Sequence, residues 1–148
     1  MNLYPLNRKF SDNRYCGPAV VSFLTGRNTS DIARDIRDLT GRRAIIGTNS
    51  RELSRVLSAS GLRLSRRPVS TPKGAISRYV ATPTLATWLR DHKHIRTSGR
   101  VFLISAGNHW QLITGRRYAC GRIGEIVSVR DSRVKRRARV REVFEIIK

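Results

Sequence analysis

The chain has 148 residues, enough for one hydrophobic core, and sets 30 Lys+Arg against 10 Asp+Glu for a formal net charge of +20. Apolar residues make up 39% of it, and no apolar run nears the ~18 residues needed to cross a bilayer, so a membrane span is excluded. The start Met1-Asn2-Leu3-Tyr4-Pro5 has no apolar stretch behind a basic flank, so no classical secretory signal is expected. The expectation is therefore one domain over residues 1–148 in a reducing cytoplasm, with Cys16 and Cys120 as free thiols.

Most of the positive charge is arginine, whose planar fork suits phosphate, and such a chain associates with polyanions at low salt whatever else it does. The basic residues run along the whole sequence. Only Arg130, Arg133, Lys135, Arg136, Arg137, Arg139 and Arg141 form a dense cluster, and all of these but Arg141 are the expected polyanion contacts. No zinc-finger, basic-zipper or RNA-recognition signature accompanies them, so sequence-specific reading is not expected.

Residues 1–14 read as irregular and lead into Tyr15-Cys16-Gly17-Pro18-Ala19-Val20-Val21-Ser22-Phe23-Leu24. Pro18 suits the first turn of a helix, where its missing N–H costs nothing. Ala19, Val20, Phe23 and Leu24 then recur at helical spacing until Gly26. Thr29 or Ser30 can cap a second helix with Ile32, Ala33, Ile36 and Leu39 on one face, ending at Gly41. Asn49 followed three residues on by Glu52 predicts a third, carrying Leu53, Val56 and Leu57. Leu62 to Val69 reads as a short strand, and residues 70–82, rich in Ser, Thr, Pro and Gly, as a loop or insertion.

Thr82-Pro83 opens a fourth helix through Leu85, Trp88 and Leu89 to about His92. The pattern then turns extended. Val101 to Ile104 and Trp110 to Thr114 read as strands joined by a tight turn at Ala106-Gly107-Asn108. Glu125 to Val129 predicts another strand. Val140 to Ile147 predicts a last one, with Val143 and Ile147 on one face and Phe144 and Ile146 on the other. Helices followed by antiparallel strands define an α+β chain.

Three residue types stand at the ends of these elements in a suggestive order. Cys16 opens the first helix, where unpaired N–H groups and the positive end of the helix dipole favour an anion. His109 opens the strand after the tight turn, and Asp131 follows the next predicted strand. If those two strands are antiparallel neighbours, His109 and Asp131 lie side by side with Cys16 packed across them. The chemistry asks for these types. A thiol of ordinary pKa, roughly 8.5, needs an imidazole to share its proton, and the imidazole needs an acceptor to fix its tautomer.

Tyr15-Cys16-Gly17-Pro18-Ala19, Gly107-Asn108-His109-Trp110-Gln111-Leu112-Ile113 and Val127-Ser128-Val129-Arg130-Asp131 together resemble the papain-like cysteine peptidases, closest to the bacteriocin-processing C39-like family. Gly47 to Leu53 and Ala59 to Leu62 are similar to that family's second helical segment, and the resemblance runs from about Asn7 to Asp131. It implies a papain-like fold with N-terminal helices packed on a C-terminal antiparallel sheet. It also implies a Cys16 nucleophile, a His109 base and an orienting Asp131 acting on a peptide or protein substrate. Where the family sets an oxyanion-binding glutamine six residues before the cysteine, this chain has Phe10. Asn13 is the favoured stand-in, ahead of Asn7 and Asp12. Tyr15, Gly17 and Trp110 are expected to wall the site.

Plainer readings compete. A cysteine on an apolar helix is usually core, His109 can be an ordinary strand-end residue, and Asp131 an ordinary turn residue. His92 and His94 suit a solvated helix end, and Cys120 reads as structural. No Cys or His pair has ligand spacing with further ligands, so neither metal nor cofactor is expected. Two functions follow: a cysteine hydrolase acting on peptide or isopeptide bonds (or a deamidase), and a silent papain-like module. The second would sit in a nucleoprotein or virion assembly, its arginines meeting nucleic acid or an acidic protein.

Overall fold

In a computed structural model of the chain, residues 1–8, 15–45, 47–69 and 82–148 are described. Phe10, Asp12, Asn13 and nearly all of the expected 70–82 loop therefore lie outside the described residues. The fold is α+β, built on a six-stranded sheet in which every pairing is antiparallel, in the order β1-β6-β2-β3-β4-β5.

Three helices come first. In α1 (Cys16–Thr25) Gly26, at φ 77°, supplies the left-handed cap. Helix α2 (Thr29–Thr40) is capped by Asn28, whose side chain accepts from Ser30 N–H at 2.8 Å. The cap is thus one residue before Thr29 and two before Ser30, the two expected caps, and Thr29 is buried instead. In α3 (Ser50–Ser58) Asn49 accepts from Glu52 N–H at 2.9 Å, as the spacing predicts. Strand β1 (Arg63–Arg67) follows and takes the sheet edge beside β6 (Val140–Ile147).

Helix α4 (Leu85–Asp91) is capped by Thr84, slightly later than Thr82-Pro83 suggests, and the short α5 (Lys93–Arg96) follows it. Strands β2 (Val101–Ala106) and β3 (His109–Thr114) form a hairpin whose turn residues Gly107 and Asn108 both have positive φ, 59° and 56°. That geometry matches the right-handed twist of the strands.

Strand β4 (Arg117–Ala119) is absent from the sequence expectations above. Gly115, at φ 59°, lets the chain reverse after Thr114, so Thr114 pairs with Arg117 and Leu112 with Ala119. Strand β5 (Ile126–Ser128) then pairs with β4 and not with β3.

Alternation along the strands divides the core between the two sheet faces. Val101, Leu103, Trp110, Leu112, Phe144 and Ile146 pack beneath α1, α2 and α3. Phe102, Ile104, Ile113, Tyr118, Val140 and Val143 face α4 and the crossover that carries Val129 and Val134. Phe144 and Ile146 thus oppose Val143, as the period of two predicts. Helix α4 covers the second face, so the helices are not confined to one side.

Candidate active site

Cys16 and His109 line one cavity of about 290 Å³ with Tyr15, Gly17, Gly47, Thr48, Asn49, Ser105, Asn108, Trp110 and Glu142. A larger cavity, of about 570 Å³, lies beside Leu3, Tyr4, Leu24 and Lys148 and holds neither thiol nor imidazole. Chemistry, not volume, picks the site.

Each wall has a local cause. Cys16 opens α1, which packs on β3, and Tyr15 gives that helix no side-chain cap. The opening amides therefore lack one usual hydrogen-bond acceptor. Gly17 is sterically required, because a Cβ there would lie 2.8 Å from Thr48 Cβ. Trp110 is held by its indole N–H, which donates to the Thr48 carbonyl at 2.6 Å. Trp110 pairs with Ser105 and Ser105 with Glu142, so a row of side chains crosses three strands on the sheet face that α1 covers. Gly121 passes against the start of α1, where a Cβ would meet Ala19 Cβ at 2.7 Å and lie 3.7 Å from Cys16 Cα.

The walls at Tyr15, Gly17 and Trp110 are thus where the sequence places them, and Asn13 lies outside the described residues. No hydrogen bond links Cys16 to His109 among the described residues. Thr48, Asn49, Ser105 and Glu142 were missed. For Glu142 a signal existed, since the alternation that sets Phe144 and Ile146 on the helix face sets Glu142 there too.

Asp131 is a correction. It follows β5, whose Ser128 pairs with Arg117, and Arg117 pairs with Thr114, the opposite end of β3 from His109. Its carboxylate is taken by Arg133, which donates from Nε at 3.0 Å to one oxygen and from Nη2 at 3.0 Å to the other. Those bonds, with the Arg133 backbone N–H, hold Asp131 down at about 2. The triad inferred from chain order assumed neighbouring strands, and β4 separates them.

The His109 ring has cations for company instead. Burial, then Arg122 and Lys135, lowers its pKa to about 4. Its Nε2 is buried with no hydrogen-bond partner among the described residues. Arg122 sits in the turn after β4, just past Gly121, which lies against the start of α1.

The basic cluster also divides. Arg133 pairs with Asp131 and Glu125, Arg136 donates to the carbonyls of Val129 and Asp131, and Arg139 donates to the Thr82 carbonyl. These three fasten the crossover to β6. Arg130, Lys135 and Arg137 are exposed and have no ion-pair partner among the described residues. No group of three metal-ligating side chains occurs among the described residues, and no helix there is long and apolar enough to cross a membrane. Comparison with known proteins gives no match to any family model, curated protein or solved structure.

Proposed function

We propose that the cavity between α1 and the opening of β3 is the acyl-transfer centre of a papain-like thiol hydrolase using a Cys16–His109 pair, without Asp131. The observation that carries this reading is that Cys16 and His109, 93 positions apart in the chain (109 − 16), line one cavity. The Cys16 thiol gives its proton to His109 as Sγ attacks a peptide or isopeptide carbonyl. His109 then protonates the leaving amine, and the acyl group stays on sulfur as a thioester. Water gives a proton to His109, attacks the thioester and releases acid and free thiol. Deamidation would follow the same steps with ammonia as the leaving group.

A base whose pKa lies near 4 is neutral and available at pH 7, but the imidazolium it must become is disfavoured by burial and by two cations. Slow turnover is the expected consequence. Glu142 is the one formally charged side chain in the described wall, and the Arg66 guanidinium pairs with it at 3.1 Å.

Alkylation tests this reading. Iodoacetamide near neutral pH should modify Cys16 faster than a free model thiol, and His109→Ala should slow it. Buried Cys120 gives no competing signal. Cys16→Ala should abolish hydrolysis, a loss on the order of 1000-fold or more. A Cys16 no faster than the model thiol, and indifferent to His109→Ala, would sink the enzyme.

The capture of Asp131 by Arg133 favours a second reading, that the fold serves as a non-catalytic module meeting nucleic acid or an acidic protein through its basic surface. Under that reading Cys16→Ala leaves every measurable activity of the chain intact.

A further inference from the structure

The end of β3 opposite His109 gathers cations that are scattered in sequence. The β3–β4 turn presents Arg116 and Arg117, both exposed. Val129 N–H donates to the Arg116 carbonyl at 2.8 Å, which brings the next residue, exposed Arg130, beside that turn. Helix α5 is strapped on from the other side. Gly115 N–H donates to the Arg96 carbonyl at 2.6 Å, and Arg96 Nη1 returns a bond to the Gly115 carbonyl, also at 2.6 Å. Exposed Lys93 and His94 come with that helix.

No carboxylate answers these charges. Asp91 pairs with Arg90, and Asp131 and Glu125 both pair with Arg133. Among the described residues Arg116, Arg117, Arg130 and Lys93 have no ion-pair partner. Burial and the nearby Arg116 both lower the pKa of the Arg96 guanidinium, as expected where like charges crowd together.

We infer that this corner, built from Arg116, Arg117 and Arg130 with Lys93 alongside, docks the phosphate backbone of a nucleic acid without reading its sequence. The corner lacks the buried aromatic or aliphatic anchors around which protein–protein interfaces form, since its neighbour Tyr118 is fully buried. A phosphodiester chain needs only the cations, and arginine forks match its oxygens. Among the described residues the corner exposes no Phe, Tyr or Trp, so base stacking has no large aromatic platform there. His109 and Thr114 stand at opposite ends of β3, roughly 17 Å apart at strand rise. The corner and the Cys16 cavity are therefore separate parts of the surface. The inference holds whether or not the thiol is catalytic.

Binding of the full chain to a fluorescent DNA duplex of about 20 mixed-sequence base pairs, titrated across salt, tests it. Each phosphate contact adds about 0.9 to the slope of log affinity against log salt for duplex DNA. The triple variant Arg116→Gln, Arg117→Gln, Arg130→Gln should lower the slope by about 2 to 3 and weaken binding at least tenfold near physiological salt. Arg51, Arg55 and Arg63, exposed on α3 and β1, provide a control of equal charge loss that should change the slope by less than one.

The same corner triple made with lysine keeps the charge and should keep the slope, which guards against misfolding as the cause. Cys16→Ala should bind as the parent does. Equal losses from the corner and control triples would overturn the inference, leaving diffuse charge alone. So would a polyglutamate peptide that binds as tightly as the DNA with the same dependence on the corner, which would make the partner acidic protein.

Discussion

At the His109 end of β3, side chains from α1, β2, β3 and β6 converge on a cavity whose one formally charged described wall is Glu142. At the Thr114 end, Arg116, Arg117 and Arg130 stand exposed with no ion-pair partner among the described residues, the nearby Asp131 being held by Arg133. Arginine is spread almost evenly along the chain, so this contrast is made by the topology and not by composition. Short turns collect cations at one end of the sheet, and helix-to-strand packing keeps them out of the described wall at the other. The two proposals divide along this line, acyl transfer at one end and polyanion docking at the other.

The strongest way to break the cavity end is steric. In Gly17→Ala the new Cβ would press on the Thr48 side chain, so either α1 or the segment before α3 must shift. A loss of about 1 to 3 kcal/mol is expected from such overpacking, read as a fall in melting temperature of several degrees. Cys16 alkylation should slow at least tenfold, while the salt slope for DNA stays put. The double variant Gly17→Ala with Thr48→Gly should recover at least half of both losses. A variant that melts and reacts like the parent would show that the two segments do not confine the thiol.

Electrostatics gives a smaller handle on the same end. Burial is the larger cause of the His109 shift and Arg122 the next, so Arg122→Glu should raise the pKa from about 4 by roughly one unit while leaving it below 6.5. An NMR titration of the ring reads this directly. The sign carries into stability. Folded His109 is harder to protonate than an unfolded histidine, so unfolding takes up a proton between about pH 6.5 and 4, and stability falls as the pH drops through that window. Arg122→Glu should narrow the window from below, and a titration point that does not move would remove Arg122 from the site.

Much of this was legible in the residues. Pro18 and the apolar spacing marked α1, Asn49 with Glu52 marked the start of α3, and the alternation along β6 sorted Phe144 from Val143. The pairing of Cys16 with His109 in one cavity was readable because both stand at element starts. What escaped was one short hairpin. Strand β4 is only three residues long, and its signal is a single glycine, Gly115, ahead of two arginines that read as solvated charge. Missing it made β3 and β5 neighbours, which drew Asp131 to His109 and hid Arg122. It also left Arg116 and Arg117 as anonymous members of a basic chain, although register alone places them at the corner.

Asp131 tests that lesson with the smallest expected effect. Its carboxylate serves Arg133 at an exposed ion pair, and solvent screening leaves such pairs contributing little to stability. Asp131→Asn should therefore leave the Cys16 alkylation rate within about twofold and the His109 titration unmoved, with at most a slight loss of melting temperature. A residue that oriented the imidazole would behave otherwise, since its removal takes a negative charge from beside the ring and lowers the pKa further. A His109 titration that shifts by a unit in Asp131→Asn, with alkylation slowed 100-fold, would return the acid to the site. It would also mean that β4 does not stand between the two strands in solution.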